Sequence, residues 1–289
     1  MRSAILAVVA STVLALAASA QMMGGGSQPG GSNFTNMMST DVLAPAAGRG
    51  PGAGGSVWRT DLWIKAAPGT SVALEFHPAD AATDAPTATA NVAVTTGVLY
   101  LADVLKNTLN LDQAFGNILL RSPAGLAATV RVYTIAGGGS YGAAFMAMPT
   151  SMAMRGSGGM MDDDDRYQMR VLGLQPQPRA RVNVMVTNAG STAITGTVEI
   201  LDADGLPPSG GAVASLSFSI RAYSSHQFGD VLSGITSRFG DGSGLQLRVR
   251  LANGSSGMVM VLASVVDNVT NDTYTVMGSM MDGRSGMMP

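Results

Sequence analysis

The sequence contains no cysteine and has few charged or aromatic residues. Of its 289 residues, 12% are charged and 5% are aromatic, whereas globular domains usually carry about twice that charged fraction. The lack of cysteine excludes disulfides, thiol catalysis and Cys-ligated zinc or iron–sulfur sites. The 17 basic residues are balanced by 19 acidic residues. This balance argues against a nucleic-acid-binding protein, which would carry a basic stripe.

Long hydrophobic runs are also scarce, and the most pronounced one lies near the N-terminus. Arg2 precedes a largely apolar stretch, residues 4–16, which has the length of a signal-peptide core and is short for a membrane span. Residues 18–20 (Ala-Ser-Ala) match the small-residue pattern of a cleavage site. We therefore interpret residues 1–20 as a signal peptide. We expect a secreted, periplasmic or cell-surface protein with no transmembrane segment after signal removal.

Segments rich in Met, Gly and Ser separate two segments that have β-strand character. These segments lack hydrophobic periodicity, and such composition is typical of flexible linkers. The predicted organisation is a signal peptide (1–20), a disordered Met/Gly-rich linker (21–55), a first β-sandwich repeat (56–148), a linker (149–166), a second β-sandwich repeat (167–277) and a flexible tail (278–289).

The two strand-rich segments share four sequence blocks in the same order, which is the signature of an internal repeat. Glu75 and Glu199, the two glutamates of the chain, fall at matching positions. The common order favours a duplication over a chance similarity of two strand-rich segments. The matching blocks are residues 58–64 and 180–186, 73–80 and 197–204, 103–105 and 230–232, and 128–133 and 258–263.

Hydrophobic residues alternate with polar ones in both segments, as in strands that bury one face. Val72, Leu74 and Phe76, for example, alternate with Glu75 and His77. Turn-forming residues separate such runs about every ten residues, which is typical of a sandwich or barrel. Short helices are expected at 101–109 and 231–239. The predicted fold class is all-β, with two tandem antiparallel β-sandwich (immunoglobulin-like) domains that have one short helix each.

Three motifs carry a family resemblance. They are Trp-Arg-Thr-Asp-Leu at 58–62 with Pro-Gly at 68–69, Asp-Val-Leu at 103–105 and 230–232, and Ser-Val-Val-Asp-Asn-Val-Thr-Asn-Asp-Thr-Tyr at 264–274. Through these motifs the chain resembles a class of secreted bacterial proteins with two tandem immunoglobulin-like β-sandwich repeats, mostly of unassigned function. The second repeat departs at its opening, where Ala180 and Val182 replace the aromatic residue and the threonine. The resemblance implies an extracellular or cell-surface location, but no activity.

The sequence contains no recognisable catalytic constellation. Its two histidines, His77 and His226, lie in different repeats, and the alternation predicts that His77 faces solvent. Glu75 and Glu199 are expected in separate domains, far beyond the roughly 5–10 Å that a glycosidase pair requires. We therefore expect a protein that is not an enzyme, with no catalytic residue and no cofactor.

Methionine is the most unusual feature, with 20 residues that lie mostly in the predicted linkers. Thioethers are soft ligands that select Cu(I), so one hypothesis is a Cu(I) site in these segments; the alternative is compositional drift in unconstrained linkers. Oxygen-rich turns at 202–205, 241–244 and 267–272 are weaker calcium candidates, since none reproduces a full EF-hand loop. The candidate metal ligands are Met22, Met23, Met37, Met38, Met152, Met154, Met160 and Met161.

These observations favour an exported, non-enzymatic protein with a structural, adhesive or interaction role. The expected partner is an unidentified surface or extracellular protein or polysaccharide, and not a nucleic acid; the alternative function is Cu(I) handling. An exposed aromatic strip at Trp58 and Trp63 would indicate stacking on sugars. Because the two tryptophans are five residues apart in a predicted strand, they should lie on opposite faces, so at most one is expected to be exposed.

Overall fold

The computed structural model shows an all-β protein with antiparallel sheets, as predicted. The described residues lie in one compact unit, Met37–Pro289; the predicted signal peptide lies outside them. No helix within the described ranges is long and apolar enough to cross a membrane. The described ranges are 38–52, 55–136, 139–156, 168–174, 180–202, 204–206, 214–233, 245–267 and 273–281.

The first half is organised around one long strand that belongs to two layers. Residues 114–121 of β6 pair with β1 and β3, whereas residues 126–136 pair with β2 and β7. Pro123 and Gly125 lie where the strand passes between the layers, and both residue types favour a break in regular pairing. The elements are β1 (Ser39–Pro51), β2 (Val57–Ala66), β3 (Thr70–Pro78), β4 (Ala88–Val94), β5 (Val98–Leu101), α1 (Val104–Asn107), β6 (Ala114–Ala136), β7 (Gly139–Met146) and β8 (Met148–Pro149).

The two layers of the first half form one continuous sheet rather than the two separate sheets of a sandwich. β1 pairs with β6, β6 pairs with β2, and the end of β1 pairs with the start of β2 through Gly50 and Trp58. These three pairings close the sheet on itself, so the first half approaches a barrel. This closure was not predicted, because it depends on a strand that the sequence pattern did not reveal.

The second half has the same kind of strands in two separate five-stranded sheets. One sheet has the order β13-β12-β15-β10-β18, and the other has β14-β11-β16-β17 with β9 beside β16. The elements are β9 (Met154–Arg155), β10 (Gln168–Leu174), β11 (Ala180–Asn188), β12 (Ile194–Leu201), β13 (Ala214–Ile220), β14 (Ser225–Phe228), β15 (Leu245–Leu251), β16 (Met258–Asp267), β17 (Thr273–Met277) and β18 (Ser279–Met281).

Most strand pairings of the two halves correspond, whereas among the described residues β1–β2 and β9–β16 have no counterpart. β15 and β16 correspond to the two parts of β6, and residues 252–257 form a loop where β6 is continuous. The corresponding pairings are β1–β6 and β10–β15, β1–β8 and β10–β18, β2–β5 and β11–β14, β2–β6 and β11–β16, β3–β4 and β12–β13, β3–β6 and β12–β15, and β6–β7 and β16–β17.

The repeated Asp-Val-Leu motif has the same geometry in both halves. Asp103 and Asp230 adopt left-handed backbone angles, with φ of 44° and 38°, which aspartate tolerates better than most residues. The amide of Asp103 donates to Asp61 Oδ1 at 2.9 Å, and the amide of Asp230 donates to Asn183 Oδ1 at 3.1 Å. The first motif begins a helix of four residues rather than one over 101–109. In the second, residues 231–233 form a turn, and 234–239 lie outside the described ranges.

Three hydrophobic clusters hold the described chain together, and two of them join the halves. The first-half core includes Met185 and Leu262 of the second half, each 4% exposed. A small third cluster joins Leu43 and Leu119 to Met260. Because these residues are removed from water by the other half, the contact between halves contributes apolar burial to the stability of each.

Parts of three predicted flexible segments form regular structure. Within the predicted 21–55 linker, residues 39–51 form β1, because Val42, Leu43 and Ala44 are fully buried against the long strand. Pro45 lies in a bulge of β1, where its missing amide hydrogen breaks no ladder bond. Within the predicted 149–166 linker, residues 150–152 form a 3-10 turn and β9 pairs with β16. The predicted tail contributes β18.

Candidate functional site

The first half presents one outward sheet surface that is rich in aromatic and charged side chains. Alternation along the strands places these side chains on the side opposite to the core. We call this surface the outer face. Its residues are Arg59, Asp61, Trp63 and Lys65 of β2, Tyr100 of β5, and Thr129, Arg131 and Tyr133 of β6.

Two stacked aromatic rings form the middle of the outer face. Trp63 and Tyr100 are cross-strand partners, and their ring centroids are 4.9 Å apart with an interplanar angle of 26°. Tyr100 is 50% exposed, and Trp63 is partly exposed. Trp58 lies on the opposite face of β2, so the predicted separation of the two tryptophans is confirmed. The surface therefore offers one stacked aromatic platform to solvent.

Asp61 connects the aromatic residues of the outer face to the backbone. It is 3% exposed and accepts hydrogen bonds from the Tyr100 hydroxyl at 2.9 Å, the Tyr133 hydroxyl at 3.4 Å and the Asp103 amide. Burial and the hydrogen bond to Asp61 raise the pKa of Tyr100 to about 12, and burial and the charge of Asp61 raise the pKa of Tyr133. Both phenols are therefore neutral hydrogen-bonding groups at physiological pH.

Arg131 is held in place beside the aromatic platform. Its guanidinium carbon lies 4.5 Å from the centroid of the Tyr133 ring, and Nη2 donates to Ser140 Oγ at 2.7 Å. Stacking on an aromatic ring fixes the plane of an arginine and leaves its other N–H groups available as donors. Small residues of β7, Gly142 and Ala144, pair with Tyr133 and Arg131, so the neighbouring strand carries no large side chain at these two positions.

The equivalent surface of the second half is partly covered: Met185, Leu262 and Val266 are buried, whereas Gln227 is exposed. It faces β1, β2, β6 and β7 of the first half. Together the two halves line a cleft of about 400 Å³. The first half contributes Trp58, Phe115 and Phe145 to one wall. The second-half wall consists of Arg181, Asn183, Met185, Gln227, Leu262, Ser264, Val266, Thr273 and Thr275.

Strand register identifies the counterpart of each outer-face residue. Met185 is the counterpart of Trp63. Trp63 lies two residues after Asp61 and Met185 two residues after Asn183, and these are the side chains that accept the aspartate amide of each Asp-Val-Leu motif. The pairings give the remaining counterparts: Gln227 for Tyr100, Leu262 for Thr129, Ser264 for Arg131, Val266 for Tyr133, Arg181 for Arg59 and Thr187 for Lys65.

The structure does not bring the predicted Cu(I) ligands together into a described site. Met22, Met23, Met37, Met160 and Met161 lie outside the described ranges. Met38 contacts Gly125, Met152 is 45% exposed, and Met154 is fully buried in the second-half core. A Cu(I) site that used Met154 would require β9 to separate from β16, so Met154 serves packing here. Copper binding by the other methionines stays a prediction.

The oxygen-rich turn at residues 202–206 uses its carboxylate internally. Asp202 Oδ1 accepts the backbone amides of Asp204 at 3.0 Å and Leu206 at 2.8 Å, as in a turn closed by an aspartate side chain. Within the described ranges, no group of three or more His, Asp or Glu side chains converges as a metal site would require. The turn at 241–244 lies outside those ranges.

The prediction that His77 faces solvent is wrong. Its ring is 2% exposed, because the second half covers this side of β3 and places Tyr223 with its ring centroid 5.5 Å away. Burial lowers the pKa of His77, against the opposing effect of Glu75, whose Oε2 lies 3.6 Å from Nε2. The two glutamates are ion-paired, Glu75 with Arg121 at 3.3 Å and Glu199 with Arg248 at 2.5 Å.

His226 and Asp80 form a contact between the halves that resembles part of a catalytic triad. His226 Nδ1 lies 2.5 Å from Asp80 Oδ1. The nearby hydroxyls are buried: Ser224 donates to the Pro78 carbonyl, and Ser225 is 0% exposed. A triad requires a hydroxyl nucleophile that substrate can reach, and neither of these two serines meets that requirement.

Comparisons with known proteins give only distant likenesses. No protein-family model and no curated protein matches the chain. Among solved structures, the apo form of Pleurotus ostreatus lectin matches with a TM-score of 0.24 and 11% identity over 88% of this chain and 80% of that one. The same lectin in complex with GalNAc gives 0.22 and 11%, over 85% and 86%. The Broad Bean Stain Virus structure gives 0.23 and 9%, over 91% and 94%. Similarity at this level does not establish a shared fold or function.

Sequence reasoning identified Trp63 but missed the residues around it. Tyr100 and Tyr133 lie 37 and 70 positions further along the chain, and Arg131 belongs to a block noted only as one of the repeated strands. The repeat alignment placed Met185 opposite Trp63, but it placed Val261 and Ala263 opposite Arg131 and Tyr133, three residues away from the counterparts that the strand register gives. Strand register was needed to show that these positions share one face.

Proposed function

We propose that the chain is an exported, non-enzymatic protein, built from two β units with matching strand pairings, that binds polysaccharide at the cell surface or outside the cell. The outer face is the binding surface. The observation that carries the proposal is the exposed stack of Trp63 on Tyr100, set among hydrogen-bonding groups on an open sheet surface.

An aromatic platform of this kind suits a sugar ring. Pyranose rings present apolar C–H faces that pack against an aromatic ring, while their hydroxyls remain available for hydrogen bonds at the edge. The amphipathic character of Trp and Tyr meets both needs. Arg59 lies four residues from Trp63 on β2, which corresponds to about 13 Å along the strand, so the surface accommodates more than one sugar unit.

The comparison between halves distinguishes this face from a surface that is packed against protein in the folded chain. Where the second half is covered by protein, the counterparts of Trp63, Thr129 and Tyr133 are Met, Leu and Val, which tolerate complete removal from water. The outer face instead carries cations and phenol groups, which are costly to bury dry. A hydrated polymer, which leaves these groups in contact with water, fits them better.

Affinity electrophoresis of the purified protein through gels that contain soluble polysaccharides tests the proposal. Trp63→Ala should weaken binding about tenfold, which corresponds to the loss of about 1.4 kcal/mol and lies within the range for one aromatic contact. Trp58→Ala is the matched control, because it removes the chain's other tryptophan from the opposite face of the same strand. Retention by the control should equal that of the unmodified protein.

Tryptophan fluorescence provides an independent measurement. In a Trp58→Phe variant, Trp63 is the sole fluorophore of its kind, and a bound sugar should change its emission. No retention of the unmodified protein by any of a panel of neutral and charged polysaccharides would refute the proposal, as would equal retention of the Trp63→Ala and Trp58→Ala variants.

A further inference from the structure

The outer face carries more positive charge at its surface than its counterpart, and its carboxylate is buried. Arg59, Lys65 and Arg131 all occupy outward positions of β2 and β6. Asp61 is the acidic residue among the outer-face residues, and its oxygens are engaged by two tyrosine hydroxyls and one amide. The nearby Asp103 carboxylate points to Arg49, at 3.1 Å. The charge presented to a ligand is therefore positive.

This positive charge is local and is not a property of the whole chain. The chain has a net charge of -2, and Lys65 is one of its two lysines. The three outer-face cations have Arg181, Thr187 and Ser264 as their second-half counterparts, so only one of the three positions is cationic there. The covered face thus lacks two of the charges that the exposed face carries.

Building on the proposed function, we infer that the outer face selects acidic polysaccharides, with sugar rings on Trp63 and Tyr100 and carboxylate or sulfate groups on the neighbouring cations. The planar guanidinium of Arg131, fixed over Tyr133 at 4.5 Å and bonded to Ser140, is oriented before the ligand arrives. A preoriented guanidinium binds a carboxylate through parallel hydrogen bonds at a small entropic cost. Lys65 adds a mobile charge at the other end of the face.

The inference requires two kinds of contact with the ligand, charge attraction and ring stacking, and the two respond differently to added salt. Attraction between the cations and an anionic polymer weakens with added salt, because counterions screen exposed charges. Stacking of a sugar ring on Trp63 does not depend on salt to the same degree. Loss of either component should weaken binding, and only the cationic component should distinguish charged from uncharged forms of one polymer.

Polygalacturonate and the same polymer with its carboxyl groups methyl-esterified form a matched pair of probes. The unmodified protein should bind the acid form at least tenfold more tightly, and this preference should decrease as sodium chloride is added. Arg131→Gln should reduce binding of the acid form about tenfold and binding of the ester by a smaller factor, so that the preference for the acid form decreases. Lys65→Gln should have a smaller effect in the same direction, and Lys106→Gln, which changes the other lysine, should have none.

Polyglutamate, which carries carboxylates without sugar rings, is the third probe. It should bind more weakly than polygalacturonate, and its binding should not respond to Trp63→Ala. Equal binding of the acid and ester polymers would overturn the inference and leave the proposed function standing, as would binding of neutral polysaccharides alone. Equal affinity for polyglutamate and polygalacturonate would overturn it as well. No binding of any polysaccharide would overturn both proposals.

Discussion

The same sheet surface is more deeply buried in the second half of the molecule than in the first. In the second half it lies against the first half, with Met185 and Leu262 almost completely buried in the first-half core. In the first half the equivalent surface faces solvent, and Trp63 with Tyr100 forms an open aromatic stack. The backbone pairings behind the two surfaces correspond strand by strand. Side-chain identity alone therefore separates a packing surface from a surface suited to a ligand.

The comparison shows how two halves with matching strand pairings can carry surfaces of different character. The contact between the halves requires apolar residues that fill the space between them. Their burial stabilises the packing of one half against the other. The exposed copy is free of this requirement, so aromatic and cationic residues are tolerated there. The Asp-Val-Leu motif is retained in both halves with the same amide bond, because it supports the sheet rather than either surface.

The largest expected effect comes from truncation of the covered surface. Met185→Ala should lower the free energy of unfolding by about 2–5 kcal/mol, the usual cost of removing a buried methionine side chain. Trp63→Ala, at the equivalent partly exposed position, should cost less than a fully buried tryptophan would, because part of the ring already faces solvent. Urea unfolding followed by circular dichroism measures both values.

The same two variants should show the reverse order in binding. Trp63→Ala weakens polysaccharide retention, whereas folded Met185→Ala protein retains it. If the two substitutions cost the same stability, or if Met185→Ala alone abolished binding, the assignment of separate roles to the two surfaces would be wrong.

A second prediction concerns the residue that accepts the Asp-Val-Leu amide, which is Asp61 in the first half and Asn183 in the second. Asp61→Asn reproduces Asn183, keeps an acceptor for the Asp103 amide and removes the charge beside Tyr100. The pKa of Tyr100, which burial and Asp61 raise to about 12, should move toward its ordinary value. The loss of a charge-assisted bond should lower the free energy of unfolding by about 1 kcal/mol. Phenolate absorbance during alkaline titration, with Tyr100→Phe to identify the signal, measures the shift.

The sign of the alkaline effect follows from the direction of the pKa shift. Since the pKa of Tyr100 is higher in the folded protein than in the unfolded chain, its stabilising contribution is complete below pH 10 and is lost as the pH rises through about 12. The Asp61→Asn variant should show a smaller decline over this interval. An unchanged Tyr100 titration would show that Asp61 does not act on its hydroxyl.

The sequence predicted the strands of this fold better than it predicted how they pack. Alternation identified strands such as residues 72–76 and 245–251 because each buries one face. It failed for β1, since two prolines and two glycines within residues 39–51 give that strand the composition of a linker. It also gave the wrong environment for His77, because its outward position is covered by Tyr223, about 150 residues away in the sequence.

The candidate site could be predicted only in part for the same reason. Residue spacing within β2 separates Trp58 from Trp63, which requires no knowledge of the fold. The neighbours of Trp63 come from β5 and β6, and their positions depend on strand order and register, which alternation does not determine. Which copy of the surface is more deeply buried depends on how the two halves pack against each other. Local sequence patterns do not predict that packing.

The smallest expected effect tests the junction between the halves through His77. Burial lowers the pKa of His77 below its ordinary value of 6.5, with Glu75 acting in the opposite direction and Arg121 in the same one. The folded protein therefore keeps His77 neutral at a pH where the unfolded chain binds a proton, so the free energy of unfolding should fall as the pH decreases through 6.5. The decline should end below the folded-state pKa.

The dependence of the urea midpoint on pH between about 7.5 and 5, the range around the histidine pKa, measures this effect. In His77→Gln the slope should be smaller than in the unmodified protein, whatever the variant's absolute stability. His226→Gln, which removes the chain's other histidine at its contact with Asp80, is the matched comparison and should retain the His77 slope. Equal slopes in the His77→Gln variant and the unmodified protein would show that protonation of His77 does not oppose folding, and that the second half does not shield this side of β3 in solution.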